Sequence, residues 1–238
     1  MKTLIVIFLS LLLEVGAFER QFSDKSYPVE YSEAVMFIKK NDAVFHLYSK
    51  KYDHPSRFVA SIVFPEVMRY GIISDLLQVE ALKHLYTRYG SDAADFSIGK
   101  FQMKPSFAES VEREVMQAPA LRKKYASLQY PSGKGKFQER NLRLQRLQNL
   151  QWQLVYLHAF VDVCGMRFAD VKFTGEEERM KFYATAFNAG YYNTPEKIII
   201  KGSIRSFPFG LKYGVNQHAY NEIASYFYQH NPAGLPME

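Results

Sequence analysis

The chain has 238 residues, of which 47% are apolar and 16% are aromatic, and its formal net charge is +6. This composition excludes a disordered protein and predicts a sizeable core. The positive charge favours an anionic partner without choosing among cell-wall polymer, membrane surface and nucleic acid. Because no nucleic-acid-binding motif is present, charge alone supports the nucleic-acid alternative, and that partner is not expected.

The first 17 residues are typical of a secretory signal peptide. Lys2 precedes a mostly apolar run over residues 4–13 that is too short to span a bilayer, and small residues at 15–17 predict cleavage after Ala17. The alternative is an uncleaved N-terminal anchor. We expect an exported chain, 18–238, with no stable membrane span, located in the periplasm, the cell envelope or the medium. Cys164 is the only cysteine, which excludes an intramolecular disulfide and predicts a buried structural thiol.

Helical periodicity dominates the remaining chain, and the class predicted is mainly α in a single domain. Pro65 predicts a kink or an end within its helix. The capping-box pattern of Thr174 and Glu177 predicts a helix start. The best strand signal is 197–201. The helices expected are 32–47 with a break near Asn41, one starting at Ser56, one from residue 74 to the Gly90 cap, 106–127 interrupted at Pro119, 137–163, 174–187 and 216–229.

One carboxyl group, that of Glu66, stands in an apolar stretch between Val63-Phe64 and Val67-Met68. Burial there would raise its pKa and keep a proton on it near neutral pH, as a general acid requires. The alternative is that Glu66 belongs to the polar face of an amphipathic helix and is exposed to water.

Three stretches, in order, resemble the lysozyme-like lytic transglycosylases, which cut the glycan of bacterial peptidoglycan. The first is the apolar helix that carries Glu66. The second, residues 96–105, matches the family's Gly-Leu-Met-Gln-x-x-Pro stretch at Gly99, Gln102 and Pro105, with Lys-Phe in place of Leu-Met. The third, residues 184–190, is similar to Ala-Tyr-Asn-Ala-Gly, with Phe187 in place of the tyrosine. Each motif is short, and the order of the three gives the resemblance its specificity.

The resemblance implies a lysozyme-like fold and a peptidoglycan substrate. It places Glu66 as the catalytic residue, with Gln102, Gly99, Met103 and Asn188 as substrate-binding residues. For two of these residues, physical chemistry offers an alternative to substrate binding. Gln102 could satisfy buried backbone instead of sugar, and Asn188 could cap its helix. Tyr191 and Tyr192 follow the third motif and are candidates for sugar stacking. The six histidines show no metal-ligand spacing, so neither a metal nor another cofactor is expected.

The resemblance also implies a mechanism with one carboxyl group, in which Glu66 acts first as acid and then as base. A hydrolase would need a second carboxylate. Asp92 and Asp95 are the nearest candidates, with Glu80 a poorer one, and the alternative for both aspartates is a role in turns or caps. A third possibility is a glycan-binding protein that keeps the fold without catalysis, since Phe187 lacks the family's hydroxyl group.

Overall fold

A computed structural model describes residues 21–70, 76–207 and 217–231. This part of the chain is mainly helical, so the predicted class is confirmed. The predicted signal peptide and the start of the mature chain at Phe18 lie outside the described residues. In the described ranges no helix has the length and apolar character needed to cross a bilayer.

Eleven α-helices, one 3-10 helix and two short strands make up the described ranges. Their bounds are α1 Pro28–Lys40, α2 Asp42–Tyr52, α3 Ser56–Tyr70, α4 Leu76–Tyr89, α5 Pro105–Gln117, α6 Pro119–Lys124, the 3-10 helix Ala126–Leu128, α7 Lys136–Gln148, α8 Leu150–Arg167, α9 Glu176–Ala189, α10 Pro195–Gly202, β1 Arg205–Phe207, β2 His218–Ala219 and α11 Tyr220–His230.

Helix α3 is at the centre of the molecule. It packs against α1, α2, α8, α9 and α11. Every residue from Phe58 to Met68 is buried, so this part of the helix is covered around its whole circumference, as expected for a mostly apolar helix enclosed by others. The helix continues through Pro65 to Tyr70, so the alternative that it ends at the proline is wrong.

A small antiparallel sheet lies beside the C-terminal end of α3. Strand β1 pairs with β2 through Arg205 and Ala219, and α11 follows β2 directly. The buried ring of Phe207 lies 5.0 Å from that of Tyr220 and 5.5 Å from the guanidinium carbon of Arg69. The sheet therefore supports the last turn of α3, which carries Glu66 and Arg69.

A buried polar network joins α4, α5, α7 and α8. The Arg143 guanidinium on α7 donates to both carboxylate oxygens of Glu112 and to Glu109 on α5. The hydroxyl groups of Tyr130 and Tyr156 also donate to Glu112. Because every buried charge here has a partner, the network is tolerated in the core, and losing one partner would leave the other charge unpaired.

Several predicted boundaries are confirmed. The chain breaks at Asn41 between α1 and α2, and Pro119 starts α6 after a break at Ala118. Gly90 follows the end of α4 with a φ of +98°, the left-handed conformation typical of a residue that ends a helix. Cys164 is buried, as expected.

Three predicted elements are wrong. Residues 197–201 belong to helix α10, because Thr194 caps its N-terminus and Pro195 occupies its first turn. The helix expected over 137–163 is two helices, separated at Asn149, whose side chain accepts a hydrogen bond from the Trp152 amide. The 174–177 capping box does not form, since Gly175 is the N-cap without a side-chain cap and the Thr174 amide and hydroxyl donate to Glu178 instead.

Candidate functional site

Glu66 is buried in the last part of α3, with only 6% of its surface exposed. The alternative of a solvent-facing carboxyl is therefore wrong. Burial raises the pKa of Glu66 to about 7, and the positive charges of Arg69 and Lys104 oppose that rise. Near neutral pH this carboxyl group is present in both protonation states, which suits a group that must give up a proton and later take one.

A cleft of about 350 Å³ opens at Glu66. Four parts of the chain meet there, namely the end of α3, the loop between α4 and α5, the start of α5 and the end of α9. Its volume is in the range of small-ligand sites in proteins. The polar lining residues are Glu66, Arg69, Ser97, Gln102, Lys104 and Asn188, and the apolar ones are Met103, Phe107 and Phe187.

The loop before α5 forms a tight turn that brings Gln102 to the cleft. Ile98 and Met103 exchange two backbone hydrogen bonds, of 2.9 and 3.1 Å, across this turn. Gln102 has a φ of +50°, which is uncommon for a residue with a side chain. Its side-chain amide nitrogen, Nε2, donates a hydrogen bond of 2.8 Å to the Gly99 carbonyl. Gln102 therefore both closes the turn and lines the cleft.

Gly99 lies behind the cleft wall and does not line it. Its φ is +70°, and a Cβ there would collide with the Gln153 side chain and the Leu147 carbonyl. Gln153, on α8, accepts a hydrogen bond from the Phe101 amide at 3.0 Å and donates to the Leu147 carbonyl. A role for Gly99 in direct sugar contact is not supported. It permits close packing of the turn on α8.

Asn188 lies in the last turn of α9 and is exposed at the cleft. The helix continues to Ala189 and ends at Gly190, whose φ is +95°, so Asn188 does not cap the helix. Asn188 also lines a second hollow of about 170 Å³, formed with Lys201, Ser206 and Phe207 among others. The two hollows are therefore neighbours.

The structure does not bring the two predicted tyrosines to the cleft. Tyr191 is 2% exposed and packs edge-on against Phe107 and Phe160, in the cluster that also holds Phe187. Tyr192 is 71% exposed, outside the residues that line the cleft. Tyr191 follows the end of α9, and the course of the chain there directs its side chain into the core.

The predicted second carboxylates are also elsewhere. Asp92 and Asp95 are exposed, and neither lines the cleft. Asp95 accepts hydrogen bonds from the amide and the hydroxyl of Ser106, at 3.0 and 2.8 Å, at the start of α5. This is the capping role considered as the alternative. Glu80 is exposed and pairs with Lys83 at 2.5 Å. Among the described residues, Glu66 is the one carboxyl group of the cleft.

Two cations of the cleft, Arg69 and Lys104, were not predicted from the sequence. The Arg69 guanidinium contacts the same oxygen of Glu66 through Nε at 3.2 Å and Nη2 at 3.1 Å. Residues three apart lie on one face of a helix, so the spacing from Glu66 to Arg69 was a usable signal. Lys104 had no such signal, because only the folded loop brings it to the cleft.

A second cluster of titratable groups lies away from the cleft. His54 contacts His158 through their Nδ1 atoms at 2.9 Å and Asp162 through Nε2 at 3.0 Å. Lys124 and the Tyr125 hydroxyl occupy the other oxygen of Asp162, each at 2.6 Å. These contacts are those of a structural network. Within the described ranges, no group of three or more His, Cys, Asp or Glu side chains is arranged to hold a metal ion.

Comparison of the chain with models of protein families, with curated proteins and with solved structures finds no match. The function proposed below therefore rests on the resemblance of the three motifs together with the residues of the cleft and their physical chemistry.

Proposed function

We propose that the chain is a peptidoglycan-cleaving lytic transglycosylase with a lysozyme-like fold, in which Glu66 is the single acid and base. The observation that supports this most strongly is a buried carboxyl group with a pKa of about 7 in a cleft of ligand size. At pH 7 about half of such groups carry a proton, compared with roughly one in 500 for an ordinary glutamate.

The proposed reaction uses Glu66 twice. The protonated carboxyl donates its proton to the glycosidic oxygen, and the bond from that oxygen to the sugar breaks. The N-acetyl group of the substrate stabilises the positive sugar centre. The Glu66 carboxylate then takes the proton of the 6-hydroxyl, whose oxygen closes a 1,6-anhydro ring. The carboxyl group is regenerated, so no water is consumed and no second carboxylate is required.

The distribution of carboxylates favours this route over hydrolysis. A hydrolase places two carboxyl groups about 5–9.5 Å apart across the scissile bond. Asp92 and Asp95, the candidates for the second group, are not among the described residues that line the cleft with Glu66. Gln102 and Asn188 line the same cleft and supply amide groups suited to the hydroxyl and N-acetyl groups of a sugar. The neighbouring hollow at Asn188 gives a polymer room to continue.

Digestion of purified peptidoglycan tests this proposal. We expect the wild type to release fragments with 1,6-anhydro ends, identified by mass spectrometry, and Glu66→Gln to reduce release by about a hundredfold or more. Glu80→Gln is the matched control, because Glu80 is exposed on a helix face. Fragments with reducing ends would indicate a hydrolase and make Asp92→Asn and Asp95→Asn the next variants. Equal release by Glu66→Gln and the wild type would exclude Glu66 as the acid.

We also propose export of the chain, because peptidoglycan lies outside the cytoplasm. The support is the sequence pattern of residues 1–17 alone. N-terminal sequencing of protein recovered from the cell envelope or the medium should give Phe18 as the first residue. Recovery of the chain with Met1 retained would contradict cleavage.

A further inference from the structure

The ion pair between Arg69 and Glu66 is enclosed by protein. The side chains are 16% and 8% exposed, and both contacts of Arg69 go to one carboxylate oxygen. The Phe207 ring lies beside the guanidinium, 5.5 Å from its central carbon. An arginine held in this way lowers the energy of the ionised carboxyl.

This pairing opposes the first step of the proposed reaction. Glu66 must carry a proton before it can donate one, yet Arg69 favours the carboxylate. If Arg69 moves to another anion, Glu66 becomes a buried carboxylate without a counter-ion. Such a group is costly, and it lowers its energy by taking a proton from solvent water. The state of Glu66 therefore depends on what Arg69 binds.

Positive charge exceeds negative charge in the described part of the cleft. Arg69 and Lys104 face the single carboxyl of Glu66. The Lys104 ammonium has only a loose contact with Asp95, at 3.9 Å, and its side chain is 55% exposed. Two cations around one carboxylate leave an attraction for a further anion, and arginine binds carboxylates in a planar, two-point arrangement.

We propose that Arg69 is an exchangeable counter-ion, which releases Glu66 when a carboxylate of the substrate enters the cleft. The ligand class is a glycan that carries a carboxylate next to the scissile bond, and Lys104 assists in binding it. The cleft thus selects anionic over neutral glycans, and binding of the anionic one raises the protonated fraction of Glu66. This inference rests on the proposed function and specifies its substrate.

The other groups that face Glu66 do not compete for this role. Lys104 approaches from the start of α5, and its charge acts on Glu66 less strongly than that of Arg69. Tyr220 approaches from α11, and burial raises the pKa of its hydroxyl well above the usual value, so it stays neutral. Arg69 is the cation in direct contact with the carboxyl.

Two binding measurements test the selectivity. The ligand is a tetrasaccharide of alternating N-acetylglucosamine and N-acetylmuramic acid, compared with the same compound after its carboxylates are converted to amides. Calorimetry uses Glu66→Gln, in which cleavage is expected to be about a hundredfold slower or more. We expect it to bind the carboxylate form about tenfold more tightly or better. The double variant with Arg69→Gln should lose that preference, whereas the double variant with Arg122→Gln, an exposed arginine on α6, should keep it.

The outcomes separate this inference from the proposed function. Equal binding of both forms by Glu66→Gln overturns the selectivity and leaves the glycan site intact. Retention of the preference after Arg69→Gln overturns the role of Arg69. Binding of neither form overturns the glycan site and the inference together.

A titration without ligand tests the counter-ion role independently. The Glu66 carboxyl carbon is followed by NMR across the pH range in the wild type, Arg69→Gln and Arg122→Gln. We expect the midpoint to rise by about one unit or more in Arg69→Gln and to stay in place in Arg122→Gln. An unchanged midpoint in Arg69→Gln would show that the arginine has only a packing role, and the proposal would be lost.

Discussion

The Tyr220 hydroxyl donates a hydrogen bond of 3.0 Å to the backbone carbonyl of Ile62, 158 positions earlier in the chain. Ile62 lies one turn before Glu66 on α3, and Tyr220 is the first residue of α11. The rings of Phe64 and Phe227 stack at 4.0 Å between the same two helices. The position of the candidate acid is therefore fixed partly by the last described helix.

Removing this hydroxyl should destabilise the protein. Tyr220→Phe deletes the donor from a buried pair and keeps the ring, so we expect the free energy of unfolding to fall by about 1 kcal/mol in urea titrations. Tyr226→Phe is the matched control, since its hydroxyl bonds Asp24 at the surface and its loss should cost less. Equal losses in the two variants would contradict a special role for the bond to Ile62.

Stability should depend on pH through Glu66. Because its pKa in the folded protein is raised to about 7 by burial, the folded state holds a proton that the unfolded chain has released between about pH 4.5 and 7. Glu66 therefore contributes a loss of stability as pH rises through that window, and Glu66→Gln lacks that contribution. The difference in unfolding free energy should move in favour of the variant by about 1–3 kcal/mol from pH 4 to 8. A constant difference would mean that the carboxyl is not desolvated.

Several elements follow directly from local sequence. A run of apolar residues on both sides of Glu66 predicted a carboxyl in an unfavourable environment, and its burial confirms this. The breaks at Asn41 and Pro119 were predictable because each residue disrupts helix continuation locally. The three isoleucines of 198–200 look like a strand, but the Thr194 cap and Pro195 start a helix there instead. In that segment the helix start signal outweighs β propensity.

The cleft was predictable where its residues belong to ordered motifs. Gln102 and Asn188 are 86 positions apart by number and still line one cleft with Glu66. Arg69 could have been predicted from its three-residue spacing to Glu66 on one helix face. Lys104 could not, because only the folded loop brings it to the cleft. The inward position of Tyr191 depends on the packing of Phe107 and Phe160, which no local pattern contains.

Acid should destabilise the protein through the cluster at His158. Burial lowers the pKa of His158 to about 3, so the unfolded chain binds a proton from about pH 6.5 downward while the folded protein does not. The contribution of His158 to the unfolding free energy should thus fall as pH drops below 6.5, by roughly 2–3 kcal/mol at pH 4. Asp162 adds to this loss below about pH 3.8. Although burial opposes it, the hydrogen bonds from His54, Lys124 and Tyr125 lower the pKa of Asp162 to about 2.

Urea titrations between pH 4 and 7 measure this effect. His158→Gln removes the titrating group, so its unfolding free energy should fall less than that of the wild type as pH drops, whatever its own cost in stability. His46→Gln, which alters an exposed histidine on α2, should keep the slope of the wild type. The same slope in His158→Gln and the wild type would assign the acid sensitivity to other groups.

The Arg143 network should make a large contribution to stability. Arg143→Met leaves the Glu112 carboxylate buried with two tyrosine hydroxyls as its remaining partners, and breaking such a pair costs about 3–5 kcal/mol. Thermal unfolding should show a much lower midpoint than for Arg122→Met, where the arginine is exposed. A midpoint close to the wild type would mean that Glu112 is readily rehydrated or protonated.

The packing of Gly99 bears on how this protein would evolve. Any larger residue there meets Gln153 and the Leu147 carbonyl, so selection for folding alone preserves the glycine. Under the function proposed above, Glu66 is under the opposite pressure, because a buried carboxylate is costly in the fold and the proposed chemistry requires it. A descendant that lost catalysis would keep Gly99 and replace Glu66 early. In a set of homologous chains, the carboxyl and not the glycine would separate enzymes from inactive descendants.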